Sequence, residues 1–405
     1  MWGKEVKNKA VKIFMVLIVA VVAIFGTVAI VNSSKNGWEP SVKETKEPKT
    51  KKTLTAEKKE PVKISMLSVG DNLIHDGIYE QAKKRSKNGG YDFSYAYKNI
   101  ASTVEKADLA TINQETIIAK SYEPSGYPLF NSPQEVGEEV KKIGFDVVNL
   151  ANNHMLDKGA KGLSEAIDFW NNIGGVTMTG AYKDENDMNR LEYIEKDGIK
   201  IGLVGITRYT NGLSLPKDSA LKIIYTSDED TIKSKIQKAK AECDIVLVNV
   251  HWGEEYTTTP NNDQRELANK MASWGADVII GHHPHVIQPV EWIDNGNGTK
   301  TLVAYSLGNF ISQQNTASRV IGGMLHYDLT KDYDTGKTTV DNVVFEPIVT
   351  HYVRGSHDVQ IYPLSQYTDS LAKAQASRLK QNDFSIKYIN DFVGKVIDKQ
   401  FLNQA

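Results

Sequence analysis

Three of the nine histidines fall within four residues, in the stretch Ile279-Ile280-Gly281-His282-His283-Pro284-His285. They follow Ala276-Asp277-Val278-Ile279-Ile280, an apolar run that reads as a short buried strand. Imidazoles crowded at the end of a strand are poor core material and good transition-metal ligands. A turn in which histidines merely cluster is the alternative. Other strand-like runs end on further donors: Asp71, Glu115, Asn153 with His154, and His251. Mixed oxygen and nitrogen donors without thiolate suit Mn, Fe or Zn at a working site better than they suit a structural zinc. There are enough donors for two divalent ions sharing one carboxylate. Such a pair activates water and clamps the oxygens of an in-line displacement. A histidine outside the metal shell would protonate the leaving group.

These donors need elements that bring them together. One unit recurs from Val62 onward: a short apolar strand, a polar cluster, and then usually a helix. Strand-like runs lead to Gly70-Asp71-Asn72, Asn113-Gln114-Glu115, Ala151-Asn152-Asn153-His154, His251-Trp252-Gly253, the histidine cluster, and Ser306-Leu307-Gly308-Asn309-Phe310. Residues Gln134–Ile143, Asp228–Glu242 and Gln264–Trp274 carry the apolar spacing of amphipathic helices. Helices alternating with buried strands predict an α/β architecture with parallel pairing, whose chemistry collects beyond the carboxyl ends of the strands. The aspartates that recur near strand starts (Asp108, Asp146, Asp244 and Asp277) lie at the opposite end and are assigned to loop hydrogen bonding. Gly322–Leu329 and Thr338–Thr350 read as paired strands joined through Asp334-Thr335-Gly336.

The net charge of -2 excludes nucleic-acid binding by bulk electrostatics. A single cysteine, Cys243, excludes an internal disulfide and cysteine-rich zinc sites, and is assigned to the core. Residues 1–12 are basic, with Lys4, Lys7, Lys9 and Lys12. Residues 13–31 are an uncharged apolar run of bilayer length. The reading is an uncleaved signal anchor with its N-terminus in the cytoplasm, a cleaved signal being the alternative. Residues 32–61, rich in Lys, Glu, Thr and Ser, form a disordered linker. Residues 62–355 form the globular domain outside the cytoplasm, and 356–405 a peripheral helical segment.

Taken in order, the six polar clusters resemble those of the CapA family of poly-γ-glutamate capsule synthesis proteins, in the calcineurin-like metallophosphoesterase superfamily. The resemblance covers about Val62 to Val349, plus the anchor. It implies a two-sheet sandwich with helices on both outer faces (α-β-β-α), where strand patterns alone also allow one doubly wound sheet. It implies Asp71 on a first metal, a bridging Glu115, and Asn153 with His251 on the second. His283 and His285 would serve one metal each, and His154 would be the general acid, oriented by Asp157. The partners implied are anionic poly-γ-glutamate and a membrane-embedded machinery of an amide ligase and a small membrane subunit, with no nucleic acid.

One position departs from the superfamily, which begins with Asp-x-His: here position 73 is Leu73. His75 either substitutes as a ligand or is an ordinary residue of the following helix. Arg208 meets an anionic substrate or a surface carboxylate, and Ser306 lacks the Gly-x-Ser-x-Gly surroundings of a nucleophile. Three functions follow: a membrane-anchored accessory protein of capsule synthesis or export, an extracellular metal-dependent phosphoesterase or amide hydrolase, and a non-catalytic scaffold with a structural metal. The topology has a direct check. Protease added to intact spheroplasts should remove the domain; its survival while a known exterior protein is digested would reverse the orientation.

Overall fold

The apolar runs assemble into two sheets in a computed structural model that describes residues 59–296, 298–352 and 358–402. The basic segment, the expected membrane anchor, most of the linker and His357 lie outside the described residues. Among the described residues, no helix is long and apolar enough to cross a membrane.

The strands in chain order are β1 (Val62–Asn72), β2 (Leu109–Asn113), β3 (Val147–Asn149), β4 (Thr177–Thr179), β5 (Tyr193–Lys196), β6 (Ile199–Thr207) and β7 (Ile245–His251). They continue as β8 (Val278–His282), β9 (Val290–Asp294), β10 (Lys300–Ala304), β11 (Asn309–Ile311), β12 (Ile321–Asp332), β13 (Lys337–His351) and β14 (Gln360–Pro363). The first sheet has the order β14-β13-β12-β1-β2-β3-β4, with β11 beside β1; the second has the order β5-β6-β7-β8-β10-β9. Each has a parallel centre, β1 to β4 in one and β6, β7, β8 and β10 in the other; antiparallel strands flank the second on both sides and the first on the β1 side, β4 being an edge.

The two-sheet arrangement follows from which faces are apolar. In the second sheet Ile201, Leu203, Ile245, Leu247, Val278 and Ile280 join the large core that contains the first sheet's strands. Their alternates Val204, Ile206, Val246, Val248 and Ile279 pack with Ile232, Ile236, Leu267 and Met271. Those partners lie on the helices Glu229–Glu242 and Asn262–Trp274, so both faces of the sheet are covered. Helices Glu135–Lys142 and Gly159–Ile173 bury Val136, Val140, Leu163 and Trp170 in the larger core.

The four aspartates at the strand starts do more than bind their own loops. Asp108, Asp146, Asp244 and Asp277 each accept a backbone N–H from the neighbouring strand, at Ser65 (2.7 Å), Ala110 (2.8 Å), Lys200 (2.8 Å) and Val246 (2.8 Å). They close the ends of the sheets opposite the polar clusters. The C-terminal segment is not merely peripheral and helical. β14 extends the first sheet against β13, and Tyr367, Leu379, Ile389 and Val393 enter the main core. Four strand residues were too short a run to read from the sequence. Cys243 is half-buried at the end of a helix, not a fully buried core residue.

Gly70 sets the end of β1. A Cβ there would sit 1.9 Å from the Gly308 carbonyl oxygen. Without it, the Asp71 N–H donates to that oxygen at 3.0 Å, and the β1 register shifts beside it. Gly70→Ala should destabilise the protein by about 1–3 kcal/mol through overpacking. Thermal denaturation checks this: an unchanged melting temperature would mean the loop before β11 yields freely.

Candidate metal centre

The carboxyl ends of both parallel centres meet at one place. Asp71 ends β1, Glu115 follows β2, Asn153 and His154 follow β3, His251 ends β7, and His283 and His285 follow β8. All of them are buried. Three side-chain ladders support them. Asp71, Asn113 and Asn149 are neighbours in register across β1, β2 and β3. Asn149 Nδ2 donates to Asn113 Oδ1 (2.9 Å), and Asn113 Nδ2 donates to Asp71 Oδ1 (2.8 Å). Behind them, Tyr97 donates to Asn72 (2.7 Å) and Asn72 Nδ2 to Gln114 (2.7 Å), which fixes the backbone that presents Glu115. Asn309 Oδ1 lies 3.0 Å from His285 Nδ1, which also meets Asp71 Oδ2 at 3.1 Å.

Two ligand sets share Glu115. Asp71, Glu115 and His285 form one, and Glu115, His251 and His283 form the other, with donor atoms within 4.8 Å of one another in each. The Nε2 atoms of His251 and His285 both lie 3.7 Å from Glu115 Oε1. Asn153 Oδ1 meets His251 Nε2 at 2.9 Å, which places this carboxamide in the second set. Both Glu115 oxygens are buried without a hydrogen-bond partner, as are Nδ1 of His251 and of His283. A buried acceptor pair left unsatisfied is costly, and a divalent cation is the group that would satisfy it. The donor set therefore fits metal. His283 and His285 take left-handed backbone (φ 98° and 57°), a strain that non-glycine residues hold only when their surroundings enforce it.

Burial pushes Glu115 well above the usual carboxylate range, and the Asp71 charge adds to it. Burial also acts to raise Asp71, but hydrogen bonds and charge from His282 and His285 outweigh it and hold that carboxyl well below its usual range. His285 loses hydration, yet Glu115 and Asp71 push it up to about 9. Burial and the neighbouring imidazoles pull His283 down to about 3 and His251 well below its ordinary value. The latter two are neutral, the form that binds metal.

His154 stands beside the cluster. Its Nδ1 lies 2.8 Å from Asp157 Oδ2, which also accepts the Phe130 N–H at 2.7 Å. The Phe130 ring packs edge-on against the imidazole at 4.7 Å. His75 does not join the ligands: its Nδ1 meets the Leu73 carbonyl (3.1 Å) and the Gln313 N–H (3.3 Å), and burial lowers it to about 4. Arg208 binds the Gly253 carbonyl (2.9 Å) and lies 3.7 Å from Asp263. Ser306 donates to the Val286 carbonyl at 2.8 Å, a structural role.

Three participants escaped the sequence reading, and a fourth, His282, stood in the histidine cluster with no role assigned. Tyr209 reaches His283 Nε2 at 2.6 Å. Asn211, left-handed at φ 50°, contacts Asn153 (3.2 Å) and His154 Nδ1 (3.4 Å). Both lie just after β6, where an Asn-Gly turn was the available signal. His282 lies 3.5 Å from Asp71 Oδ1 and 3.3 Å from Asn249, so the unassigned histidine packs behind the first set. Glu255, exposed, groups with His283 and His285.

The comparisons can be set beside this geometry. The profile of the bacterial capsule synthesis protein PGA_cap family matches residues 65–314, more than half of the chain. The chain belongs to the PGA_cap family. The capsule biosynthesis protein CapA of Bacillus anthracis is 30% identical to this PGA_cap chain over 295 residues, 70% of this chain and 68% of that protein. The PGA biosynthesis protein CapA of Bacillus subtilis is 29% identical over 281 residues, 68% of this chain and 70% of that one. The structure of NAD nucleotidase from Haemophilus influenzae aligns with 83% of this chain and 60% of its own, at 14% identity and a TM-score of 0.44.

The ladder behind Asp71 in this PGA_cap chain can be tested. Asn113→Ala removes a donor to a buried carboxylate and should cost about 1–3 kcal/mol. Calorimetric melting of the purified protein reads the loss; no shift would mean that Asp71 is held without Asn113.

Proposed function

We propose that this chain is a membrane-anchored protein whose domain acts outside the cytoplasm in synthesis or export of a poly-γ-glutamate capsule, through a metal-dependent, hydrolase-like site. The family membership and the CapA relatives support the pathway. One observation carries the chemistry: the Glu115 carboxylate is buried, without a hydrogen-bond partner, and common to two ligand sets. In this reading Asp71, Glu115 and His285 hold one divalent ion, and Glu115, His251 and His283 with Asn153 hold the other. Bound there, the ions would supply an activated water and charge stabilisation for displacement at a phosphoryl or carbonyl centre.

The chain's own residues do the rest. Asp157 accepts from His154 Nδ1 and fixes the ring, leaving Nε2 as the atom that delivers a proton to a leaving group. Phe130 covers one side of that ring and limits water. The implied partners are the amide ligase and small membrane subunit of the capsule machinery, and the substrate is the anionic polymer.

A scaffold with a structural metal has one observation in its favour. Leu73, 2% exposed, stands where the resemblance places a histidine, so the first set lacks that donor. Two variants separate the readings. His251→Ala should lower metal content by elemental analysis and reduce the melting temperature, since a ligand that binds only the folded state stabilises it. His154→Ala should leave metal content nearly intact, lower the melting temperature only as far as the lost Asp157 contact requires, and cut capsule output by roughly 100-fold or more, the contribution of a general acid. Normal output from His154→Ala with loss in His251→Ala favours the scaffold. A folded wild-type protein that holds no metal after reconstitution ends the metal reading.

A further inference from the structure

Beside the ligand cluster stands a cation without an anionic partner. Arg319 closes the short turn Ala317–Arg319 between β11 and β12. Its guanidinium carbon lies 3.2 Å from the centroid of the Tyr256 ring. That ring in turn lies 6.2 Å from the His285 ring. A second tether runs through the backbone: the Arg319 carbonyl accepts from Asn309 Nδ2 at 2.9 Å, and Asn309 Oδ1 meets His285. Arg85, Arg190, Arg208 and Arg265 each face a carboxylate. Arg319 pairs with none among the described residues, and its Nε is buried without a hydrogen-bond partner. The nearby Glu255 carboxylate groups with His283 and His285 instead.

The rim around the cluster is aromatic on two sides. Tyr256 is 40% exposed next to His285. Tyr127, 79% exposed, packs on Phe130 at 6.3 Å, and Phe130 packs on His154. Exposed tyrosines thus flank both the metal ligands and the proposed acid. A guanidinium held over a ring loses little freedom on binding, and its fork of N–H donors matches a planar oxyanion.

We propose that Arg319, seated on Tyr256, is an oxyanion subsite that takes a carboxylate of an acidic substrate chain lying across the ligand cluster. This rests on reading the cluster as the substrate site. The subsite itself recognises any oxyanion of suitable shape, a carboxylate or a phosphate, and the test separates the two.

The purified full-length protein is titrated calorimetrically in chelator, so that metal makes no contribution. The probes are N-acetylated γ-linked triglutamate, its uncharged tetraamide, and inorganic phosphate. Triglutamate should bind more tightly than the tetraamide. Arg319→Gln should weaken triglutamate roughly tenfold to a hundredfold, the loss expected for a charge-assisted hydrogen bond. Arg319→Lys, which keeps the charge and loses the fork, should fall between the two and serves as the folded control. Wild-type binding in both variants overturns the subsite, as does equal binding of triglutamate and tetraamide with no phosphate binding. Arg319-dependent binding of phosphate but not triglutamate keeps the oxyanion subsite and overturns the carboxylate substrate, and with it the polymer reading. Failure of the metal reading leaves these chelated titrations unaffected, so the two outcomes remain distinguishable.

Discussion

The structure depends on a carboxylate placed where no hydrogen bond reaches it. Glu115 is buried between two sheets, with neither oxygen hydrogen-bonded and Asp71 close by. Burying an ionised carboxylate without compensation costs several kcal/mol. Such a position persists because the neighbours leave it no alternative and because a cation can occupy the space. The neighbours are arranged to that end. Asparagines hold Asp71 from one side, left-handed backbone turns His283 and His285 inward, and Gly70 lets the loop before β11 close on β1.

The two ends of the sheets divide the work. At the ends where the strands begin, Asp108, Asp146, Asp244 and Asp277 tie each strand to its neighbour through backbone N–H groups. These bonds need no special chemistry, only a short acceptor at a fixed place. At the other end the same strands deliver ligands. A parallel centre in each sheet points its carboxyl ends the same way, so ligands distant in the chain converge without any long loop. Because each ligand set draws on both sheets, the second sheet supplying His251, His283 and His285 and the first Asp71 and Glu115, the packing between the sheets is itself part of the site. A shift of that packing would separate the sets.

The site is also asymmetric. The second set has two neutral imidazoles, a carboxamide and the shared carboxylate. The first has Asp71, His285 and the same Glu115, with buried Leu73 offering no donor. Tyr209 and Asn211, from the loop after β6, buttress the second set and the His154 side. The first set is backed by His282 and Asn309. Rigid support of this kind holds ligand geometry in the absence of metal.

Much of this was legible in the sequence. Strands with both faces buried read as continuous apolar runs, and a polar residue that ends such a run cannot be core, so Asp71, Glu115, His154, His251 and the histidine cluster declared themselves. The α/β class and the helices at 135–142, 229–242 and 262–274 followed from periodicity for the same reason. Strand patterns did not decide between one sheet and two, because a residue buried against a helix and one buried against a second sheet are equally apolar. Nor did they reveal β14, which is too short to show a period, or the roles of Tyr209, Asn211 and Arg319. Those residues sit in loops, where composition carries no distance information, and they gain meaning only from what folds against them. His75 and Arg208 were each open to a role at the site or an ordinary local one. Local backbone contacts took the first and the Gly253 carbonyl took the second, and only the tertiary structure could make that choice. The sequence by itself determined which residues had to leave the core at the strand ends; the packing of two sheets decided which of them share a cation-sized space, because that depends on distances between segments that no local pattern encodes.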